Sequence, residues 1–259
     1  SVTMSWTLSA SQIWAIVAVP LTPAAPVVSI DIGSPGTNRL VVVTAGNEST
    51  GTNLTGVTVD GKACNLIARA DNPNGSGNHQ EMWYCDEDNL GSSSGTVAVA
   101  VQGGTSNWGV HAHLYTGVDQ SGPVDSGIDQ TSINTTTVTV NGIDVPAKGL
   151  VVMGAGEGTD GLTVSSWTSP LVQRQSEPGH PTSADLMSAS GTETSAQTNK
   201  TYTATFSGTF DRGTGIVASF APASGSGTGK LVAWVRVPTL KYNADTSIYM
   251  YYGNPAVTS

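Results

Sequence analysis

Apolar residues along this chain come in short runs, and turn-forming residues close each run within a few positions. Leu40–Thr44 (LVVVT), Val57–Val59, Thr96–Val101 (TVAVAV), Val138–Val140, Leu150–Met153 (LVVM) and Ile216–Phe220 (IVASF) are rich in β-branched residues. Each is bounded by Gly, Asn, Asp, Ser or Pro, the pattern of half-buried strands. Asp60-Gly61 within VTVDGKAC and Asn141-Gly142 within VTVNGIDV predict hairpin turns, because both dipeptides accept positive φ. No segment carries an apolar stripe at helical spacing with caps at both ends. The expected fold is all-β: an antiparallel β-sandwich, jelly-roll-like, with extra strands at the termini.

One internal similarity bears on organisation. SWTLSASQIWAIVAVPLTPA (Ser5–Ala24) aligns without gaps with ATFSGTFDRGTGIVASFAPA (Ala204–Ala223), and each reads as a strand pair ending in an apolar run and Pro-Ala. Val17, Val19 and Leu21 in one copy match Ile216, Ala218 and Phe220 in the other, and each trio alternates so as to share one face of a strand. Residues 1–25 therefore read as the closing strands of a preceding unit, or as a donor strand. Residues 26–223 read as a β-sandwich domain with its own closing strands. Residues 224–259 read as a Ser/Gly linker followed by a strand pair, Leu231–Val237 and Ser247–Tyr252. Two strands are not stable alone in water. This pair carries Trp234, Tyr249, Tyr251 and Tyr252, an aromatic surface that needs a partner. The chain opens on Ser1 with no charged segment ahead of its first apolar stretch, so a removed leader or a longer polypeptide is expected.

Composition narrows the function classes. Ten Lys+Arg stand against 19 Asp+Glu, a net charge of −9, and charged residues make up only 11% of the chain. An acidic chain without a basic tract lacks the footprint of nucleic-acid binding. No apolar run approaches the ~18 residues of a membrane-spanning helix. Low charge with 38% hydrophobic residues is not the signature of disorder.

Cys64 and Cys85 flank one predicted hairpin with a long loop. Their spacing lacks the CxxC element of a metal site. Two buried thiols or a disulfide remain, and the disulfide is the expectation. It would close a loop of about 20 residues and stabilise the fold by ~3 kcal/mol. A disulfide implies an oxidising compartment, consistent with an extracellular or cell-surface location.

GTNRLVVVTAG (36–46), VTVDGKACNLI (57–67), EMWYCDEDNLGSSSGTVAVAV (81–101) and HLYTGVDQSGPVDS (113–126) resemble, in this order, a β-sandwich repeat module of large secreted and surface proteins of bacteria and their relatives. The closing stretch resembles that module's ending and occurs at both 5–24 and 204–223. Cys64 and Cys85 stand where the module is expected to carry aliphatic residues. The tail GKLVAWVRVPTLKYNADTSIYMYYGNP (229–255) is similar to the final part of another extracellular domain of unknown function. These resemblances imply location and architecture, and they bring no catalytic residues.

Candidate chemistry is sparse. Gly91-Ser92-Ser93-Ser94-Gly95 fits a nucleophile-elbow pattern but falls in a turn between strands rather than on a strand-to-helix elbow. Gly156, Gly158 and Gly161 fit GxGxxG, but the strand-like LTVSSW follows where a phosphate-binding helix would be needed. His111 and His113, two apart on a strand, point to the same side and could hold a metal if a third ligand arrived. Asp86, Glu87 and Asp88 are weak Ca²⁺ candidates, set against a solvated acidic turn. Trp108 and Trp167 are the tryptophans considered as sugar platforms. Sequons occur at Asn47, Asn53, Asn74, Asn134 and Asn199.

The expectation is therefore a non-enzymatic structural protein: a subunit or repeat of an extracellular filament or surface array, joined head-to-tail by β-strand complementation. Self-association would run through Trp14, Ile16, Val17, Val19 and Leu21 at one end and Trp234, Tyr249 and Tyr251 at the other. No cofactor is expected, nor a nucleic-acid partner or membrane span. The alternative is a carbohydrate-binding or adhesion module, with polysaccharide as partner.

Overall fold

A computed structural model of the 259-residue chain describes residues 27–36, 38–48, 53–72, 77–103, 108–131, 134–159, 161–177 and 185–224. The terminal segments 1–25 and 225–259, and with them Trp14, Ile16, Val17, Val19, Leu21, Trp234, Tyr249 and Tyr251, lie outside the described residues.

The described chain is built of antiparallel strands. Its first half contains β1 (Val27–Asp31), β2 (Leu40–Asn47), β3 (Gly56–Val59), β4 (Lys62–Ala63), β5 (Asn65–Asn72), β6 (Asn78–Cys85), β7 (Thr96–Gln102) and β8 (Gly109–Tyr115). The second contains β9 (Asp125–Thr131), β10 (Thr135–Val145), β11 (Leu150–Glu157), β12 (Val164–Trp167), β13 (Val172–Glu177), β14 (Asp185–Thr192), β15 (Gln197–Phe210) and β16 (Gly213–Phe220). One four-residue helix, α1 (Glu87–Leu90), follows β6.

Four sheets form. Sheet I has the order β1-β7-β3-β4 and sheet II β5-β6-β2-β8, while sheet III is β13-β14-β11-β16-β9 and sheet IV β10-β15-β12. Sheets I and II enclose one apolar core, including Val41, Val43, Val57, Val99, Trp83 and Trp108. Sheets III and IV enclose a second, including Val151, Met153, Tyr202, Phe206 and Phe210. A third cluster, with Leu40, Val42, Met82, Val152, Ile216, Ala218 and Phe220, joins sheet II to sheet III. The result is two sandwiches stacked face to face, four layers deep.

This layering explains the two kinds of apolar run. β7 lies in an outer sheet and alternates buried and exposed positions (TVAVAVQ), as a strand with one wet face must. β2 and β11 lie in the inner sheets with both faces covered. They read as nearly unbroken apolar segments for that reason.

The span 26–223, read from sequence as a sandwich domain, thus holds two sandwiches, and they repeat one another. Matching β1, β2, β3, β5, β6, β7 and β8 to β10, β11, β12, β13, β14, β15 and β16 makes the sheet orders coincide, with β4 and β9 as additions. The central strands still share sequence, LVVVTAGN at Leu40–Asn47 and LVVMGAGE at Leu150–Glu157.

Local predictions fare unequally. Asp60 (φ 50°) and Gly61 (φ 72°) make the β3–β4 hairpin turn as expected. Asn141-Gly142 makes no hairpin. β10 runs straight through it, and the register against β15 slips between Val140 and Ile143, with Gly142 at φ 81°. An Asn-Gly pair can place its positive-φ residue in a bulge as readily as in a turn. Here Ile143 and Val145 re-enter the buried core, so continuing the strand wins.

The disulfide joins Cys64 to Cys85 with Cα atoms 4.6 Å apart. Cys64 sits between β4 and β5, where the chain crosses from sheet I to sheet II, and Cys85 ends β6. The bond therefore ties the sheet-switching corner to an inner strand of the same sandwich.

Candidate functional site

The most concentrated polar chemistry between the two sandwiches lies where β8 faces β14. Alternation puts His111, His113 and Tyr115 on one face of β8 and Ser188, Ser190 and Thr192 on one face of β14. The Ser188 hydroxyl stands between the two imidazoles, 3.0 Å from His111 Nδ1 and 2.9 Å from His113 Nε2. A hydroxyl has one proton, so it donates to one ring nitrogen and accepts an N–H from the other. The two rings meet edge to face at 6.4 Å. Further along, Arg174 Nε on β13 donates to Ser190 Oγ at 2.7 Å. Tyr115 and Thr192 then line a cavity of about 140 Å³ with Thr116, Val118, Lys148 and Leu150.

Electrostatics along this track are set by burial and neighbouring cations. Burial, then the charges of His111 and Arg174, push the His113 pKa down to about 4, so its ring is neutral at pH 7. Burial pushes the Tyr115 phenol up, against the opposing pull of the Ser190 hydroxyl and Arg174. Ser188 is fully buried. It is not presented to a substrate, so the Ser–His geometry holds strands together rather than offering a nucleophile.

Inside the first sandwich a second polar group is fully built. His79 Nδ1 lies 2.7 Å from Asp71 and its Nε2 3.0 Å from Glu81. Glu81 also accepts from the Leu54 N–H at 2.8 Å and the Trp83 indole at 2.8 Å, and pairs with Arg69 at 3.1 Å. Burial opposes charge on both groups. The hydrogen bonds outweigh it, raising the His79 pKa and lowering that of Glu81. In the second sandwich Asp185 stands where the first has His79, and Glu157, at the position of Asn47, lies across the ladder from it. Burial, then the neighbouring Asp185 carboxyl, push Glu157 up to about 9.

Several residues singled out from sequence take structural places. Asp86 caps α1, accepting the Asn89 N–H at 2.9 Å. Glu87 is held by Arg39 at 2.6 Å and by the Arg39 and Gly36 N–H groups; burial opposes, but these bring its pKa down to about 2. Asp88 stands in the first turn of α1 beside them. Among the described residues no three His, Cys, Asp or Glu side chains gather as a metal site. His111 and His113 do share a side, as read from their spacing, and what reaches them is Ser188. Trp108 is buried edge-on against His79, with ring centroids 5.3 Å apart, so it offers no platform. Trp167 is half-buried beside the second core. Ser93, from the rejected elbow pattern, donates to Asp60 at 2.6 Å. Asn47 is buried, which removes it as a glycan acceptor in the folded chain.

Sequence reading missed Ser188, Ser190, Arg174 and the Glu157–Asp185 pair. The available signal was the match of LVVVTAGN with LVVMGAGE. It would have aligned the two halves and placed β14 opposite β8.

The described residues define a tandem, all-β sandwich protein. Residues 218–259 match a domain of unknown function (DUF2341), which begins within β16 and covers the tail whose likeness to an uncharacterised domain was noted above. No curated protein and no solved structure matches the chain. No helix among the described residues is long and apolar enough to cross a membrane.

Proposed function

We propose that this chain is a structural repeat of an extracellular filament or cell-surface array, whose sandwiches stack in series and whose flanking segments complete neighbouring copies by strand addition. The observation that supports this most directly is the repetition itself. Two sandwiches of one strand order are joined through a seam to which β16 contributes Ile216, Ala218 and Phe220. Ser5–Ala24 repeats the β15–β16 stretch in sequence, with Val17, Val19 and Leu21 at the matching positions. A segment with that pattern is suited to supply the seam face of another sandwich. The disulfide fits an extracellular setting.

The test is sedimentation and negative-stain imaging of the full chain across a concentration series, beside the variant Val17→Asp/Val19→Asp. Concentration-dependent linear association of the parent, abolished in the variant with unchanged circular dichroism, is expected. A parent that stays monomeric, or a variant that associates equally well, overturns the reading.

A further inference from the structure

The two inner sheets differ by one strand. In sheet III β16 is zipped between β11 and β9, whereas in sheet II its counterpart β8 pairs, among the described residues, with β2 alone. A sheet edge with no neighbouring strand is a template for a further one, and proteins blunt such edges with charge, proline or a bulge. Every other border strand among the described residues is blunted. β1 carries Asp31, β4 Lys62, β9 Asp129 and β10 Asp144; β5 and β13 add a break in register to their charges, and β12 has the break alone. β8 (GVHAHLY) has no Asp, Glu, Lys, Arg or Pro, and its register against β2 runs unbroken from Gly109 to Tyr115. Its Val110 is buried, while Ala112 and Leu114 are half-buried at the flank of the first core.

We propose that the outer edge of β8 receives residues 15–21 of a neighbouring copy as a fifth, antiparallel strand of sheet II. This docking rests on the strand-addition reading above and supplies its acceptor. The internal repeat gives the occupant. The interval from Leu40 to Leu150 also separates Val28 and Ile30 in β1 from Val138 and Val140 in β10, and it carries β9 onto residues 15–21, AIVAVPL. Gly46 lies opposite Gly109 as Gly156 lies opposite Thr214, which fixes the register on β8. Across the β16–β9 ladder Val217 faces Gly127 and Gly215 faces Asp129. The same rungs set Val17 beside Ala112 and Val19 beside Val110, so both valines cover the flank of the first core while Ile16 and Ala18 turn to the seam. A segment apolar on both faces suits a strand covered on both sides, as β2 and β11 are. Pro20 falls at the last rung, opposite Gly109, and a border strand tolerates proline there. Each chain has one such segment to give and one such edge to fill, so the contact propagates head to tail.

The experiment is sedimentation of the full chain beside three variants. They are the edge variant Ala112→Lys, the segment variant Val17→Asp/Val19→Asp, and the control Val172→Lys at an exposed position of border strand β13. Parent and control are expected to associate as concentration rises. The edge and segment variants should each stay monomeric with unchanged thermal melts. An equimolar mixture of those two should form pairs and nothing longer, because one chain keeps only its edge intact and the other only its segment. Should Ala112→Lys melt early, Leu114→Lys takes its place in the same mixture. An edge variant that associates like the parent, a mixture that forms no pairs, or equal loss in Val172→Lys overturns this acceptor and leaves the strand-addition reading standing. A parent that stays monomeric overturns both.

Discussion

The two sandwiches share a strand order and differ in how they tolerate buried polar groups. The first pairs its buried polar groups with carboxylates. Arg39, fully buried, is enclosed by Glu87 and by the carbonyls of Ser93 and Gly91 at 2.7 and 3.0 Å, and His79 is flanked by two carboxylates. It also carries the disulfide. The second sets Glu157 beside Asp185, where the first has Asn47 opposite His79. Two opposite electrostatic solutions occupy equivalent ends of the same fold. The strand order therefore follows from apolar alternation and layer position, while the polar ends are free to diverge.

The sharpest break of this symmetry is Arg39→Met. It strands the Glu87 carboxylate and several carbonyls, and an unpaired buried partner costs about 3–5 kcal/mol. Urea unfolding followed by hydrogen exchange should place the loss in residues 27–115 and spare 125–224. Equal loss of protection in both would show that the sandwiches unfold as one unit. Replacing both cysteines by alanine should cost ~3 kcal/mol, again confined to the first sandwich. Full retention of stability after this change would mean that the sheet-crossing corner is fixed by packing alone.

A pH series separates the halves without any substitution. Glu157 ionises near 4.5 when unfolded and about 9 in the fold. Its contribution is thus complete below 4.5 and is lost as pH rises through 9. His113 behaves in the opposite sense: its contribution is present above 6.5 and is lost as pH falls towards 4. Stability measured by urea midpoint should fall at both extremes, and Glu157→Gln should flatten only the alkaline side. An alkaline loss that persists in that variant would assign it elsewhere.

Much of the architecture was legible in sequence because it depends on periodicity. Every quoted run, from LVVVT to IVASF, is a strand, and the cysteines bracket a hairpin they do join. What failed depends on non-local competition. Asn141-Gly142 has the chemistry of a turn, and only the demand of the core for Ile143 and Val145 keeps the strand going. The shared side of His111 and His113 followed from spacing, but their partner Ser188 lies on a strand of the other sandwich and nothing local announces it. Trp108 reads equally as surface or core from sequence, and its burial edge-on against His79 depends on a strand distant in the chain.

The position of β16 has a mechanical consequence. Among the described residues β1 pairs only with β7, at the border of an outer sheet, and β16 is zipped between β11 and β9 in an inner sheet. Under tension β1 can peel away one hydrogen-bond pair at a time. β16 must shear two ladders at once, so of these two strands β16 is the grip and β1 the release.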